Sequence, residues 1–115
     1  MTYELQFLIM VDTSLALDDL VARLIEKLEG ARKVRPRSFD WRDNWISVWP
    51  NDDHDPTATS DPEEGFLHYR YRVEVSPLAK NAPVEHQVSL AKELERVFES
   101  LGASAVVCAD FEELL

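Results

Sequence analysis

From Tyr3 to Val11 the apolar side chains occupy both parities, with Leu5, Phe7, Ile9 and Val11 on one and Leu8 and Met10 on the other. A strand that is apolar on both sides belongs in the middle of a sheet. From Ser14 to Glu29 the spacing changes to i, i+3, i+4, and Leu17, Leu20, Val21, Leu24, Ile25 and Leu28 form one stripe. That spacing predicts an amphipathic helix. Ser14 or Asp12 suits its start, Asp18 and Asp19 its positive end, and Gly30 its stop.

The aromatic and β-branched run from Ser38 to Pro50 predicts extended backbone. Asp43-Asn44 interrupts its parity; a bulge or a tight turn would each do so, and we read a bulge within one strand. Phe66 to Val75 alternates cleanly, with Leu67, Tyr69, Tyr71, Val73 and Val75 inward and His68, Arg70, Arg72 and Glu74 outward. Pro83 to Leu101 returns to helical spacing through Val84, Val88, Ala91, Leu94, Phe98 and Leu101, and Gly102 follows as its stop. Ala103 to Ala109 is nearly continuous in apolar residues and reads as a last, buried strand.

The order strand, helix, strand, strand, helix, strand predicts an α+β fold. With right-handed crossovers it closes as a ferredoxin-like βαββαβ two-layer sandwich, an antiparallel sheet with both helices on one face. A length of 115 residues fits a single domain, residues 1–115. A hydrophobic share of 45% is enough for a core without metal or disulfides. No apolar run is long enough to span a membrane. No basic segment followed by an apolar stretch opens the chain, so no secretory leader is expected. The lone Cys108 fits a reducing, cytoplasmic setting.

Charge changes this picture more than composition does. The formal net charge is −10, which argues against sequence-independent binding to nucleic acid or to an anionic membrane. The charges are also segregated. Residues 31–49 carry five basic and two acidic groups, and residues 66–80 three basic and one acidic. The Pro-punctuated segment 50–65 carries six acids and no Lys or Arg. It reads as a long loop, mobile unless something binds it.

Three constellations follow. The loop acids Asp52, Asp53, Asp55, Asp61, Glu63 and Glu64 suit a basic protein partner, as in an immunity or antitoxin-type inhibitor that occupies a nuclease site. Arg42, His68, Arg70 and Arg72, if they share the open sheet face, suit a small anion; ordinary cross-strand ion pairs with Asp40 and Glu74 would use the same groups. His68 beside Glu74 or Asp40 is the one acid/base arrangement on offer, and no catalytic motif supports it. The leading reading is therefore a non-enzymatic protein-binding module.

Metal and cofactor signals fail. Counting from Asp53, the residues Asp55, Thr57, Thr59, Asp61 and Glu64 fall at calcium-loop positions. However, Ala58 stands where such a loop needs glycine, and Pro56 and Pro62 interrupt it. His54, His68 and His86 lack zinc spacing, and no glycine is left for a phosphate cradle. No metal or cofactor is expected.

Trp41, Trp45 and Trp49 are read as core under the helices. Leu8, Met10 and alternate residues of Ala105 to Cys108 point to the face the helices leave open. A homodimer through that face, or another protein there, is the expected remedy unless Phe111, Leu114 and Leu115 cover it.

Overall fold

The computed structural model describes residues 2–115. It has an α+β architecture, with one antiparallel sheet of six strands and two helices. The strands are β1 (Phe7–Asp12), β2 (Arg32–Arg35), β3 (Ser38–Trp41), β4 (Asn44–Pro50), β5 (Tyr71–Pro77) and β6 (Ser104–Cys108). The helices are α1 (Leu17–Lys27) and α2 (Val84–Ser100). The sheet order is β2-β3-β4-β5-β1-β6. The expected four-strand layout is therefore not matched as drawn, because two further strands lie between α1 and β4.

Those strands come from a stretch where the sequence reading fails twice. Ser38 to Pro50 is a hairpin and not one bulged strand. Trp41 pairs with Asn44, leaving Arg42 and Asp43 as a two-residue turn with φ of 46° and 60°. Positive φ at both central residues is what the strand twist asks of such a turn. Neither residue is glycine, so the conformation needs outside support. The Arg42 carbonyl accepts hydrogen bonds from Asn44 Nδ2 (3.0 Å) and His86 Nε2 (2.9 Å), and the Asp43 carbonyl accepts one from the Leu78 amide (2.9 Å). Once that turn exists, the basic stretch before Ser38 pairs as β2 on the sheet edge, with Arg32 opposite Asp40.

Register then sorts the side chains. Phe39, Ile46, Val75 and Phe7 stand in one cross-strand row, and Val48, Val73, Ile9 and Val107 in the next. These rows form the core with Leu20, Val21 and Leu24 of α1 and Leu90, Ala91, Leu94 and Phe98 of α2. Full burial of each such side chain contributes roughly 1.5–3 kcal/mol. The two-residue turn also divides the tryptophans. Trp41 is buried and donates from Nε1 to the Glu29 carbonyl (3.1 Å), whereas Trp45 and Trp49 fall on the opposite face. Only one of the three is core.

Both helices are shorter than their periodic patterns. α1 begins after Ala16, and neither Ser14 nor Asp12 caps it; Asp12 instead accepts the Arg70 amide (3.2 Å). Pro83 is the N-cap of α2 and not its first turn. Gly102, at φ 80°, ends α2: its amide donates to Glu99 O (3.0 Å) and the Ala103 amide to Phe98 O (3.1 Å). This is a Schellman closure, which needs the left-handed residue there. On α2 the buried side includes Gln87, Leu90 and Val97, while Val84, Val88 and Leu101 are only half-buried.

Candidate functional site

Between β4 and β5 the chain runs through the acidic segment, and its backbone is organised by its own side chains. Asn51 donates from Nδ2 to the carbonyls of Leu67 (3.0 Å) and Tyr69 (2.7 Å), and its amide bonds to Arg70 O (2.9 Å). The Asp55 amide donates to His68 O (3.1 Å), and His68 Nδ1 donates to Asp53 O (3.0 Å). This is why the expected strand from Phe66 does not form. Residues Gly65–His68 make a 3-10 turn packed against β1, the Leu67 and His68 carbonyls are spent on the loop, and β5 starts only at Tyr71. Gly65 is buried so closely against the loop that an added Cβ would stand 2.3 Å from the Thr59 carbonyl oxygen. The loop is a folded unit.

Two of its acids shape it. Asp55 Oδ1 accepts the Thr57 hydroxyl (2.7 Å) and amide (3.0 Å), and Asp61 Oδ1 accepts the amides of Glu63 (2.8 Å) and Glu64 (3.2 Å). Hydrogen bonds to the charged form favour it. The Asp55 carboxyl is held below its ordinary range chiefly by the Thr57 hydroxyl and then its amide, and that of Asp61 by the Glu63 and Glu64 amides. His68, close to both, adds a smaller pull in the same direction. Asp52, Asp53, Asp55, Asp61, Glu63 and Glu64 are all exposed, and none forms an ion pair among the described residues. No group of three or more His, Cys, Asp or Glu fit for a metal ion occurs among the described residues.

The basic residues do not converge as the alternating pattern implied. Arg42 sits in the β3–β4 turn with its guanidinium 4.4 Å from the Trp41 ring centre. Arg70 donates from Nη1 to the carbonyls of Thr13 (3.4 Å) and Leu15 (3.2 Å), tying the loop's end to the β1–α1 connection. His68 lies in the 3-10 turn. Of the four, Arg72 alone stands on the open sheet face, 3.3 Å from Glu74. Asp40 is paired with Arg32 (3.2 Å) and His68 with the Asp53 carbonyl, so the acid/base partners considered for His68 are engaged elsewhere.

The open face reads across the strands as Ser38, Ser47, Glu74, Leu8 and Cys108 in one row and Trp49, Arg72, Met10 and Val106 in the next. Met10 is only 6% exposed yet stands apart from the helix-side core, and Trp49 is 43% exposed. Phe111 and Leu114 do not cover this face, and Asp110 and Glu112 border it beside Leu8 and Cys108. Phe111 packs into the core, edge-on to Phe7 at 5.5 Å, and Leu114 lies along α2. β6 is an edge strand with half-buried side chains, not the interior strand its composition predicts. Burial raises the Cys108 thiol above its ordinary value, so it is a poor nucleophile at neutral pH.

The organising residues Asn51, Asn44 and Gln87 carry no sequence signal beyond their type. Asn directly after a strand-ending Pro was the one available hint of a side chain turning back on the loop backbone. No helix among the described residues is long and apolar enough to cross a membrane. No known protein family, curated protein or solved structure matches this chain.

Proposed function

We propose that this protein is a non-enzymatic, cytoplasmic binding module that inhibits or sequesters a protein with a basic surface, in the manner of an immunity or antitoxin-type inhibitor. The carrying observation is the acidic segment. Its backbone is hydrogen-bonded into one shape by Asn51, Asp55, Asp61 and His68, while all six of its carboxylates are exposed and none forms an ion pair among the described residues. A binder that is already ordered loses less entropy on association than a disordered acidic tail, and its charge speeds encounter with a cationic partner. The scaffold beneath it is, in our reading, a ferredoxin-like core of β6-β1-β5-β4 to which β3 and β2 are added at one edge.

The small-anion reading is weaker, because Arg42 and Arg70 are committed to Trp41 and to backbone carbonyls and stand apart from Arg72.

The test is capture from native lysate, purification of the captured protein, and reconstitution with wild type and with the fourfold variant Asp52→Asn, Asp53→Asn, Glu63→Gln, Glu64→Gln, which leaves the loop-shaping Asp55 and Asp61 in place. A basic partner whose binding falls by about 100-fold or more in the variant, and weakens with added salt, supports the reading. Binding that the variant and salt leave unchanged overturns it, as does failure to bind any basic protein.

A further inference from the structure

We propose that the open sheet face is the interface of a symmetric dimer, and that its occupant is a second copy of this chain. The face has an apolar half and an aromatic side with one ion pair between them. Leu8 on β1 and Val106 and Cys108 on β6, each half-buried, make the apolar half around the buried Met10; half-buried Trp45 and exposed Trp49 on β4 make the aromatic side. Arg72 and Glu74 stand between them on β5. Trp49, 43% exposed, and these half-buried side chains leave apolar surface that a second protein surface would cover.

Three observations select a second copy as the occupant. First, the centre is self-complementary: a two-fold axis passing between Arg72 and Glu74 lays each Arg72 over the other copy's Glu74. A symmetric contact requires that kind of patch. Second, Arg72 has capacity left for another carboxylate. Its side chain is 42% exposed, its ion pair with Glu74 at 3.3 Å is its only one among the described residues, and its Nε is shielded from solvent without any acceptor. A guanidinium offers five N–H donors, and those on the exposed part of Arg72 are open to a second carboxylate. Third, Arg72 and Glu74 cancel at the face's centre, whereas the chain as a whole carries −10. Acidic surfaces of two such copies repel one another, and the paired Arg72 and Glu74 add no net charge to that repulsion.

The acidic loop plays no part in the contact, so this inference stands or falls apart from the proposed function. The experiment is light scattering of wild type and of two surface variants, Arg72→Glu and Glu74→Arg, at low and high salt. Wild type is expected at twice the chain mass at both salts, because apolar contact and a covered ion pair are little screened. Either variant alone sets like charges against like across the axis and is expected to weaken dimerisation by about 100-fold or more. An equimolar mixture of the two restores opposition of charge at all four positions and returns a dimer. Melting curves confirm that each variant is folded, and the wild-type mass stands as an independent reading if one is not. Monomeric wild type overturns the proposal, including the case in which a different protein occupies the face. A dimer that both variants leave intact overturns it equally.

Discussion

Asn44 and Gln87 face each other inside the protein and exchange two hydrogen bonds, Asn44 Nδ2 to Gln87 Oε1 at 3.1 Å and Gln87 Nε2 to Asn44 Oδ1 at 3.0 Å. Each also spends its second amide proton on backbone, Asn44 on Arg42 O and Gln87 on Leu5 O (2.9 Å). The pair thereby joins the β3–β4 turn, α2 and the segment before β1. Asn44→Ala or Gln87→Ala leaves a buried amide and a carbonyl unpaired, with an expected cost of about 1–3 kcal/mol each. The double variant is expected to cost less than the sum of the singles, by about 0.5–3 kcal/mol. Urea unfolding of the four proteins measures this.

Gly65 is the tightest point of the acidic loop. A methyl group there meets the Thr59 carbonyl, so one strand of the loop must move. Gly65→Ala is expected to cost about 1–3 kcal/mol, and the loosening is expected within the loop. A protease that cuts after acidic residues should then cleave 52–64 faster in the variant, with the sites on α1 and α2 unchanged.

The loop is also acid-sensitive, with a definite sign. Asp55 and Asp61 have carboxyls held below their ordinary range by donors present only in the folded loop. Their contribution is complete above the ordinary aspartate value and is lost as pH falls through the lower folded value. Amide resonances of Thr57, Glu63 and Glu64 followed by NMR should shift together in that acid window. Asp61→Asn retains an oxygen acceptor but no longer titrates, and should remove the transition at Glu63 and Glu64 while leaving that at Thr57.

Two hydrogen bonds to the N-terminal segment, Tyr3 hydroxyl to Glu113 (2.6 Å) and Glu4 amide to Asp110 (2.9 Å), hold the tail from outside, and one side chain anchors it in the core. Phe111 is fully buried, whereas Leu114 and Leu115 are 42% and 40% exposed. Phe111→Ala is expected to destabilise by about 3–5 kcal/mol. Leu114→Ala and Leu115→Ala should stay within about 0.5 kcal/mol of wild type. Thermal melts distinguish the two classes.

Cys108 offers a chemical probe of the open face. Burial raises its thiol pKa, so less of it is thiolate at neutral pH than in a free cysteine. Its labelling by a thiol reagent is expected to be slower than that of a small thiol at pH 7.5, and to keep rising with pH beyond the ordinary cysteine range.

What was legible in the sequence was whatever depends on near neighbours. The two helices, the alternation of Tyr71, Val73 and Val75, and the terminal role of Gly102 are local patterns; each is present, although the buried side of α2 is turned from its expected stripe towards Gln87, Leu90 and Val97. A tight turn and a bulge fit Asp43-Asn44 equally well from sequence, and the choice between them was not legible, because the positive φ of Arg42 and Asp43 is supported by His86, Gln87 and Leu78, more than thirty residues away. Missing that turn also misplaced Trp45 and Trp49 and concealed β2. Likewise His68 and Arg70 fit strand alternation in isolation. Their departure from it is decided by Asn51 and Asp12, which compete for the same backbone. The acidity of the loop was plain; its fixed shape was not, since that rests on Gly65 and on side-chain-to-backbone bonds.

The two borders of the sheet are unlike, and this limits how copies can add to one another. β2 is fully exposed and bears Arg32, Lys33 and Arg35, with Arg37 just beyond, so two such borders brought together repel along their length. β6 carries no charged residue. Any ribbon formed by joining borders at β6 would therefore present cationic ends on both sides and stop at two chains. The basic strand β2 thus sets a charge barrier against like-with-like extension at its own border, which the uncharged β6 border lacks.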